Sequence, residues 1–462
     1  MITLRFDELA ALTGGRLYNQ PPSTATFTGV SIDSRSVAEG ELFVAIRGEN
    51  RDGHEYIRQA VERGASGLLV EFDHDDEVLG ARVPAVAVEN SHEAMIALAK
   101  QYRHSIAARF VGITGSNGKT TTKELAWHLL ASVEPTAYRS PGNLNNLYGV
   151  PLALFRIPKD CKAAVLEMGI STQVEMPRLV EIVEPDIALI TNVSATHLEF
   201  LHTVEDVARA KLELIRASHT EMPAIINADD KVLMTEAGKL RESFTTFALD
   251  TGADFRPDSW EARSDGRTRV VLEGNEFDLP LVGKHQVYNL TAAYAIVRTL
   301  GYDFENVDTV AIPLSSAPLR GELVEQRKVR LLVDCYNANP ENVKAGLAGF
   351  FSIPGGQRRV VILGDMLELG AKAKTYHREI GKLLAGYDAD LVLFVGPLSV
   401  YMREGAVAAG IDLSRVLYFV NAREAAEAAG GIFREGDFVY VKGSRGIGLE
   451  AIVRQLEDGE NN

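Results

Sequence analysis

The sequence predicts a three-domain α/β protein whose domains are built on parallel sheets. Its apolar residues fall in short runs rich in Val, Ile and Leu that stop abruptly at Gly, Asp, Asn or Thr, and such runs read as strands buried on both faces. Amphipathic helical stretches separate many of these runs, an alternation that belongs to parallel sheets. The chain has 462 residues, about three times the ~150 that serves one domain, and 46% of them are hydrophobic, enough for several cores.

Residues 1–107 have a texture of their own. Short strands are expected at Gly29–Asp33 and Glu41–Ile46, with a break at Pro21-Pro22 and a helix opening at Asn90, where Glu93 completes a capping-box spacing. This segment reads as an N-terminal α/β domain. A central domain is expected over 108–317, with strands at Arg109–Thr114, Ala163–Glu167, Asp186–Asn192 and Ala224–Asp229 and an end near the Ser-Ser-Ala-Pro stretch at 315–318. The strands Val329–Asp334, Arg359–Asp365, Asp390–Gly396 and Asp437–Gly443 assign 318–462 to a third, Rossmann-like domain. The acidic end Glu457–Asn462 reads as a frayed terminus. In such sheets ligands gather at the carboxyl ends of the strands, where this chain places its glycines and polar residues.

Charge and cysteine content narrow the function. Lys and Arg number 48 against 63 Asp and Glu, a net of −15 with no basic stripe, so nucleic acid and anionic membrane surfaces are not expected partners. Cys161 and Cys335 are too few for a disulfide framework, which points to a reducing cytoplasm. The charged start Met1–Glu8 has no apolar leader core and no apolar run reaches the length of a membrane span, so neither export nor membrane insertion is expected. Nothing in the composition demands more than a monomer.

The clearest chemical signal is Val111–Thr122, reading Val-Gly-Ile-Thr-Gly-Ser-Asn-Gly-Lys-Thr-Thr-Thr between a strand and a helix. In the run Gly115, Ser116, Asn117, Gly118, Lys119, Thr120, Thr121, backbone N–H groups can converge on phosphate oxygens. Lys119 can reach the β and γ phosphates and the Thr120 hydroxyl a Mg²⁺ ion. The usual phosphate-loop pattern requires glycine where this chain has Ile113, and a Gly-rich turn without a ligand is the alternative. Mg²⁺ on phosphates also needs carboxylates from neighbouring strand ends, and Glu167 closes such a strand unless it is simply a solvated acid. His197 follows a buried strand on the same edge, as a ligand or as an ordinary loop histidine.

Lys211 is odder. On a helix from Val204 to Ala217, capped by Thr203, it falls in the middle of the apolar stripe of Val204, Val207, Ala208 and Ile215. A buried lysine is costly unless paired or modified. Either it snorkels to the rim, or desolvation lowers its pKa until the neutral amine takes up CO₂ as a carbamate, an oxygen ligand for a second Mg²⁺. The residues alone stop at a multidomain ATP-using enzyme that clamps a second substrate between domains.

Thr114–Thr121, with its glycine displaced by one residue, resembles the ATP loop of the Mur ligases of peptidoglycan synthesis, and the resemblance runs the whole length of the chain. The stretches Asp334–Asn342 and Leu363–Gly370 resemble the branch that adds D-alanyl-D-alanine to UDP-N-acetylmuramoyl tripeptide. The Asp-Asn-Pro-Arg usual in the branch that adds the third residue is absent. The resemblance implies that the N-terminal domain holds the UDP end, with Ser34 and Arg35 in an Asp-Ser-Arg motif and Asp52, Gly53 and His54 nearby. It implies a catalytic group of Lys119, Glu167, His197 and Lys211, with Thr120 and Glu167 holding one Mg²⁺ and His197 and Lys211 helping to hold a second. Lys211 matches a lysine that relatives carbamylate. Asn289 is implied at the adenine, Arg320 and Asp334 at the phosphates and ribose, and Asn143, Asn145 and Asn146 in a loop facing the muramoyl substrate. Asn337, Asn339, Lys442, Ser444 and Arg445 are candidates to receive the dipeptide. The implied reaction activates the tripeptide carboxylate as an acyl phosphate, which the dipeptide amine then attacks. Another Mur-type or folylpolyglutamate-type amide ligase is one alternative. A nucleotide switch is another, although no Asn-Lys-x-Asp guanine-reading motif occurs.

Overall fold

The computed structural model describes the chain except for residues 20, 21, 23, 49, 50, 75–77, 79, 220, 264, 305–309, 312–318, 355, 356 and 458–462. Pro21 of the expected break, the expected domain end at 315–318 and nearly all of the acidic tail lie outside the described residues.

Three α/β units follow one another. In the first, a five-stranded sheet runs in the order Arg16–Tyr18, Ala85–Val88, Gly67–Glu71, Leu42–Val44, Val30–Ser31, parallel except for its first pair. The helix Ser91–His104 starts with Asn90 Oδ1 accepting the Glu93 N–H at 2.8 Å. The reciprocal half of the capping box is not made, because the Glu93 carboxylate pairs with Arg178 of the next unit. One apolar core runs from Phe6 and Leu42 through Tyr102 to Phe155 and Leu166, and the Tyr102 hydroxyl donates to Ile157 O at 2.7 Å. The first two units therefore share a core.

The central unit carries six parallel strands in the order Thr245–Phe247, Ala224–Asn227, Ile187–Ile190, Arg109–Thr114, Ala163–Glu167, Tyr138–Arg139. Val111 and Ile113 face a core with Leu125 and Leu290 from the helices Lys119–Val133 and Lys284–Thr299, while Phe110 and Leu166 face the core shared with the first unit. The register sets Glu167 beside Ile113 and Ile190 beside Thr114. The phosphate loop, Glu167 and the segment leading to His197 thus leave the sheet along one edge. A further four-stranded sheet, Ser259–Ala262, Thr268–Leu272, Asn275–Leu279, Val310–Ala311, is one the sequence does not announce.

The third unit orders six strands as Glu322–Gln326, Val329–Asp334, Phe438–Lys442, Arg359–Gly364, Leu391–Val395, Val416–Phe419, parallel after an initial hairpin. Apolar cores cover both of its faces. Among the described residues no helix is long and apolar enough to cross a membrane. Cys161 and Cys335 are free and buried.

Candidate active site

The strand Arg109–Thr114 delivers the chain into the loop 115–118, and the helix Lys119–Val133 leaves it with its first N–H groups unpaired by the helix. Gly118 sits at the N-cap with φ +82°, and a Cβ there would stand 2.3 Å from Asn289 Oδ1. At Gly115, φ +149°, a Cβ would stand 1.8 Å from Thr191 Oγ1. Glycine alone gives that path. None is needed at position 113, because Ile113 is still strand, fully buried and in register with Glu167. Lys119 folds back over the loop, donating from Nζ to Gly115 O at 2.8 Å and Ser116 O at 3.4 Å. Burial lowers its pKa, with Glu167 opposing that shift and Arg320 adding to it.

Glu167 is 1% exposed. Its Oε2 accepts from Thr120 Oγ1 at 2.8 Å and its Oε1 from Asn145 Nδ2 at 2.7 Å. Both donors are neutral, and no ion pair to Glu167 forms among the described residues. A buried carboxylate beside a hydroxyl, without a counter-ion, is an incomplete hard-oxygen site, and Mg²⁺ fits it. Asn145 is held there by Lys123, fully buried on the phosphate-loop helix, whose Nζ donates to Ser140 O and Gly142 O at 2.7 Å each. Asn143 is exposed on the same loop, whereas Asn146 Oδ1 is occupied by the Gly149 N–H at 2.8 Å.

Lys211 lies on the buried face of the helix Val204–Arg216, 1% exposed, with Thr203 capping through the Asp206 N–H at 3.1 Å. It does not snorkel. Among the described residues it has no hydrogen-bond or ion-pair partner, and burial, then the charge of Lys119, push its pKa well down. The segment before His197 crosses the phosphate loop: Ser116 Oγ accepts from the Ser194 N–H at 2.9 Å and from Thr196 Oγ1 at 3.1 Å. His197 Nδ1 then stands 2.7 Å from Oε2 of Glu368 in the third unit, at an angle that leaves it without an aligned hydrogen bond.

Across the cleft from the phosphate loop stand Arg320, Asp334, Tyr336, Asn337, Asn342 and Lys442. The Arg320 guanidinium stacks on Tyr336 at 3.7 Å. Asn339, Lys442 and Ser444, candidates for the dipeptide, are each engaged within the protein. Lys442, 2% exposed, holds Asp334 Oδ2 and Asn337 O, each at 2.8 Å. Ser444 Oγ accepts the Leu367 N–H at 2.9 Å. Asn339 caps the helix Pro340–Ser352, accepting the Asn342 N–H at 3.0 Å and donating to Asn117 Oδ1 at 2.7 Å. Strand ends and helix starts leave backbone groups to satisfy, and these side chains satisfy them. Asn337 and Arg445 stay exposed, Arg445 beside Glu450 at 3.2 Å.

The N-terminal candidates stand apart from the cleft. Ser34 Oγ donates to Gln59 Oε1 at 2.6 Å, and the exposed Arg35 pairs with Asp33 at 2.8 Å. His54 is 3% exposed; its Nε2 accepts the Glu71 N–H at 3.0 Å, so its proton is on Nδ1, 2.6 Å from Asp52 Oδ1. Both ring nitrogens are engaged and burial lowers its pKa. Gly53 packs against the Ile46 backbone, where a Cβ would stand 2.6 Å from Ile46 N.

Beside the phosphate loop a less polar slot is lined by Thr191, Asn192, Phe247, Tyr288, Asn289 and Ala292. His285, whose pKa burial pushes down to about 4, also lines that slot, while Gln286, which accepts from Asn289 Nδ2 at 2.9 Å, lines the cleft. Sequence reasoning did not single out Tyr336, Asn342, His285, Gln286 or Phe247. The first four stand in polar clusters visible in the sequence, while Phe247 carries no signal of its own.

Family models match in chain order: the Mur ligase family catalytic domain over residues 26–103, the Mur ligase middle domain over 113–297 and the Mur ligase glutamate ligase domain over 319–445. The chain is 31% identical to the UDP-N-acetylmuramoyl-tripeptide–D-alanyl-D-alanine ligase of Bacillus subtilis, with 99% of each chain covered. The chain belongs to the Mur ligase family. Among solved structures, this Mur ligase is similar to MurF from Acinetobacter baumannii, with a TM-score of 0.85, 25% identity and coverage of 99% of this chain and 100% of that one. MurF from Thermotoga maritima in complex with ADP matches with a TM-score of 0.76 and 27% identity, over 93% of this chain and 97% of that one.

Proposed function

We propose that this Mur ligase joins D-alanyl-D-alanine to the C-terminal carboxylate of UDP-N-acetylmuramoyl tripeptide, using ATP and giving ADP, phosphate and the pentapeptide precursor of peptidoglycan. The observation that carries the proposal is one cleft in which a phosphate loop and a counter-ion-free buried glutamate face Arg320 and Asp334 of another domain. The full-length similarity to D-alanyl-D-alanine ligases supports the substrate pair.

A carboxylate is a poor acyl donor until it is activated. The tripeptide carboxylate oxygen attacks the γ-phosphorus, the bond to ADP breaks, and an acyl phosphate results. Lys119 exchanges its two carbonyl partners for phosphate oxygens, and N–H groups of 115–118 take the rest. Thr120 and Glu167 would hold one Mg²⁺, and His197 with a carbamylated Lys211 a second. Mg²⁺ supplies neutralisation of the negative charge on the phosphates. Asn289 and the slot beside it suit adenine, with Arg320 and Asp334 at phosphates and ribose. The dipeptide amine, after losing a proton, attacks the acyl carbon, the C–O bond to phosphate breaks and the amide forms.

The remaining roles follow three domains, over 1–107, 108–317 and 318–462. Ser34 and Arg35 meet the UDP end, Asn143 and Asn145 the muramoyl peptide, and Asn337 and Arg445 the dipeptide. The contact from Asn117 to Asn339 and Asn342 keeps water from the acyl phosphate by holding the domains together. ATP use with two free, buried cysteines supports the cytoplasm.

Phosphate release from ATP with UDP-N-acetylmuramoyl tripeptide, adding D-alanyl-D-alanine or single amino acids in turn, tests the proposal. Release is expected only with the dipeptide. Release with a single amino acid, or with no acceptor, would assign the protein to another ligase or to a nucleotide switch.

A further inference from the structure

We infer that Glu368 is a positioning residue that orients His197 from the opposite domain, so that the histidine of the ATP site is set only when the C-terminal domain is docked. The inference rests on the metal role proposed above for His197.

Glu368 belongs to the loop after the strand Arg359–Gly364, and that loop is firmly anchored. Asp365 Oδ2 accepts the Leu398 N–H at 3.0 Å, the Met366 N–H reaches His377 Nε2 at 3.1 Å, and the Leu367 N–H reaches Ser444 Oγ at 2.9 Å. Glu368 then adopts φ +62°, and the residue opposite, His197, adopts φ +53°. Non-glycine residues seldom take this conformation, and its cost persists where the surroundings impose it. Here two such residues face each other across a domain boundary. The backbones also touch, since a Cβ on Gly370 would lie 3.4 Å from Glu199 Cα.

The contact distinguishes the two ring nitrogens of His197. Nδ1 faces the Glu368 carboxylate at 2.7 Å, while Nε2 has no partner among the described residues. A carboxylate on one nitrogen fixes the tautomer and the ring plane and leaves the other nitrogen for a metal, and loss of such a partner weakens metal binding about 10- to 100-fold. The third unit also meets the phosphate loop itself, through Asn339 and Asn342 on Asn117. Docking of that unit is thereby felt at the nucleotide loop and at the histidine together.

The test uses the full chain with ADP and Mn²⁺ in place of Mg²⁺, reading free Mn²⁺ by electron paramagnetic resonance. Glu368→Ala is expected to weaken binding at the site His197 serves by about 10-fold, and His197→Ala by at least as much. The double variant should lose no more than His197→Ala alone. Glu368→Gln, whose amide oxygen can stand where the carboxylate oxygen faces Nδ1, should recover part of the loss. In steady state Glu368→Ala should lower kcat with KM for ATP nearly unchanged, and its melting temperature should stay at the wild-type value because Glu368 is exposed. Unchanged Mn²⁺ affinity in Glu368→Ala, with a loss in His197→Ala, overturns the inference and leaves a plain interdomain contact. Unchanged affinity in both variants overturns the metal role of His197 as well. In either case the ligase reading is judged separately, by dipeptide-dependent phosphate release in the wild type.

Discussion

Lys119→Ala is expected to lower turnover about 10³-fold while the protein stays folded, because on the proposed mechanism it removes an ammonium that meets the transferring phosphoryl group. In the structure this Nζ rests on two loop carbonyls, Gly115 O and Ser116 O, with no carboxylate in contact among the described residues. Its removal therefore breaks no direct ion pair among the described residues. Steady-state phosphate release at saturating ATP, tripeptide and dipeptide gives the turnover, and a thermal melt checks the fold. A variant that retained a tenth or more of wild-type turnover would remove Lys119 from the phosphoryl-transfer step.

On the carbamate role proposed above, Lys211→Ala is expected to lower turnover by a similar factor, about 10²- to 10³-fold, because loss of one metal-oxygen ligand would forfeit several kcal/mol of charge stabilisation. The structure explains why this lysine suits modification. Burial and the nearby Lys119 favour its neutral amine, the form that reacts with CO₂, and its surroundings offer no acid to hold the ammonium. Wild-type protein equilibrated with ¹³C-bicarbonate should show a carbamate carbon signal that Lys211→Ala lacks. Lys211→Met should melt no lower than wild type, since a well-filled apolar side chain replaces an unpaired amine. Full activity in either variant, or no adduct signal in the wild type, would contradict the carbamate.

Much of this fold was legible because buried parallel strands leave an unmistakable apolar run. Arg109–Thr114, Ala163–Glu167 and Val329–Asp334 fall where the sequence puts them, and the helical period alone places Lys211 on a buried face. The hairpin before Val329 was hidden for a physical reason. Its two-residue turn is Arg327-Lys328, with φ +50° and +60°, where glycine or asparagine would ordinarily advertise such a turn. The four-stranded sheet was hidden because the edge strand Ser259–Ala262 buries almost nothing and so shows no pattern.

At the site, the phosphate loop and Glu167 were legible from chemistry that needs particular residues at particular spacings. The polar residues at the ends of the C-terminal strands were not separable by sequence. Asn339 and Ser444, candidates for the dipeptide, also satisfy the helix start at Pro340 and the backbone of Leu367. Glu368 shows the converse. Its partner His197 is distant in sequence, and only the docking of two domains makes the pair.

The central claim is that ATP activates the tripeptide carboxylate, and the most direct measurement follows its oxygen. With ¹⁸O in the terminal carboxylate of UDP-N-acetylmuramoyl tripeptide, and with ATP and D-alanyl-D-alanine present, one ¹⁸O should appear in each phosphate released as the amide forms. Phosphate carrying no label, its new oxygen drawn from water, would contradict an acyl phosphate and with it the ligase reading of this cleft.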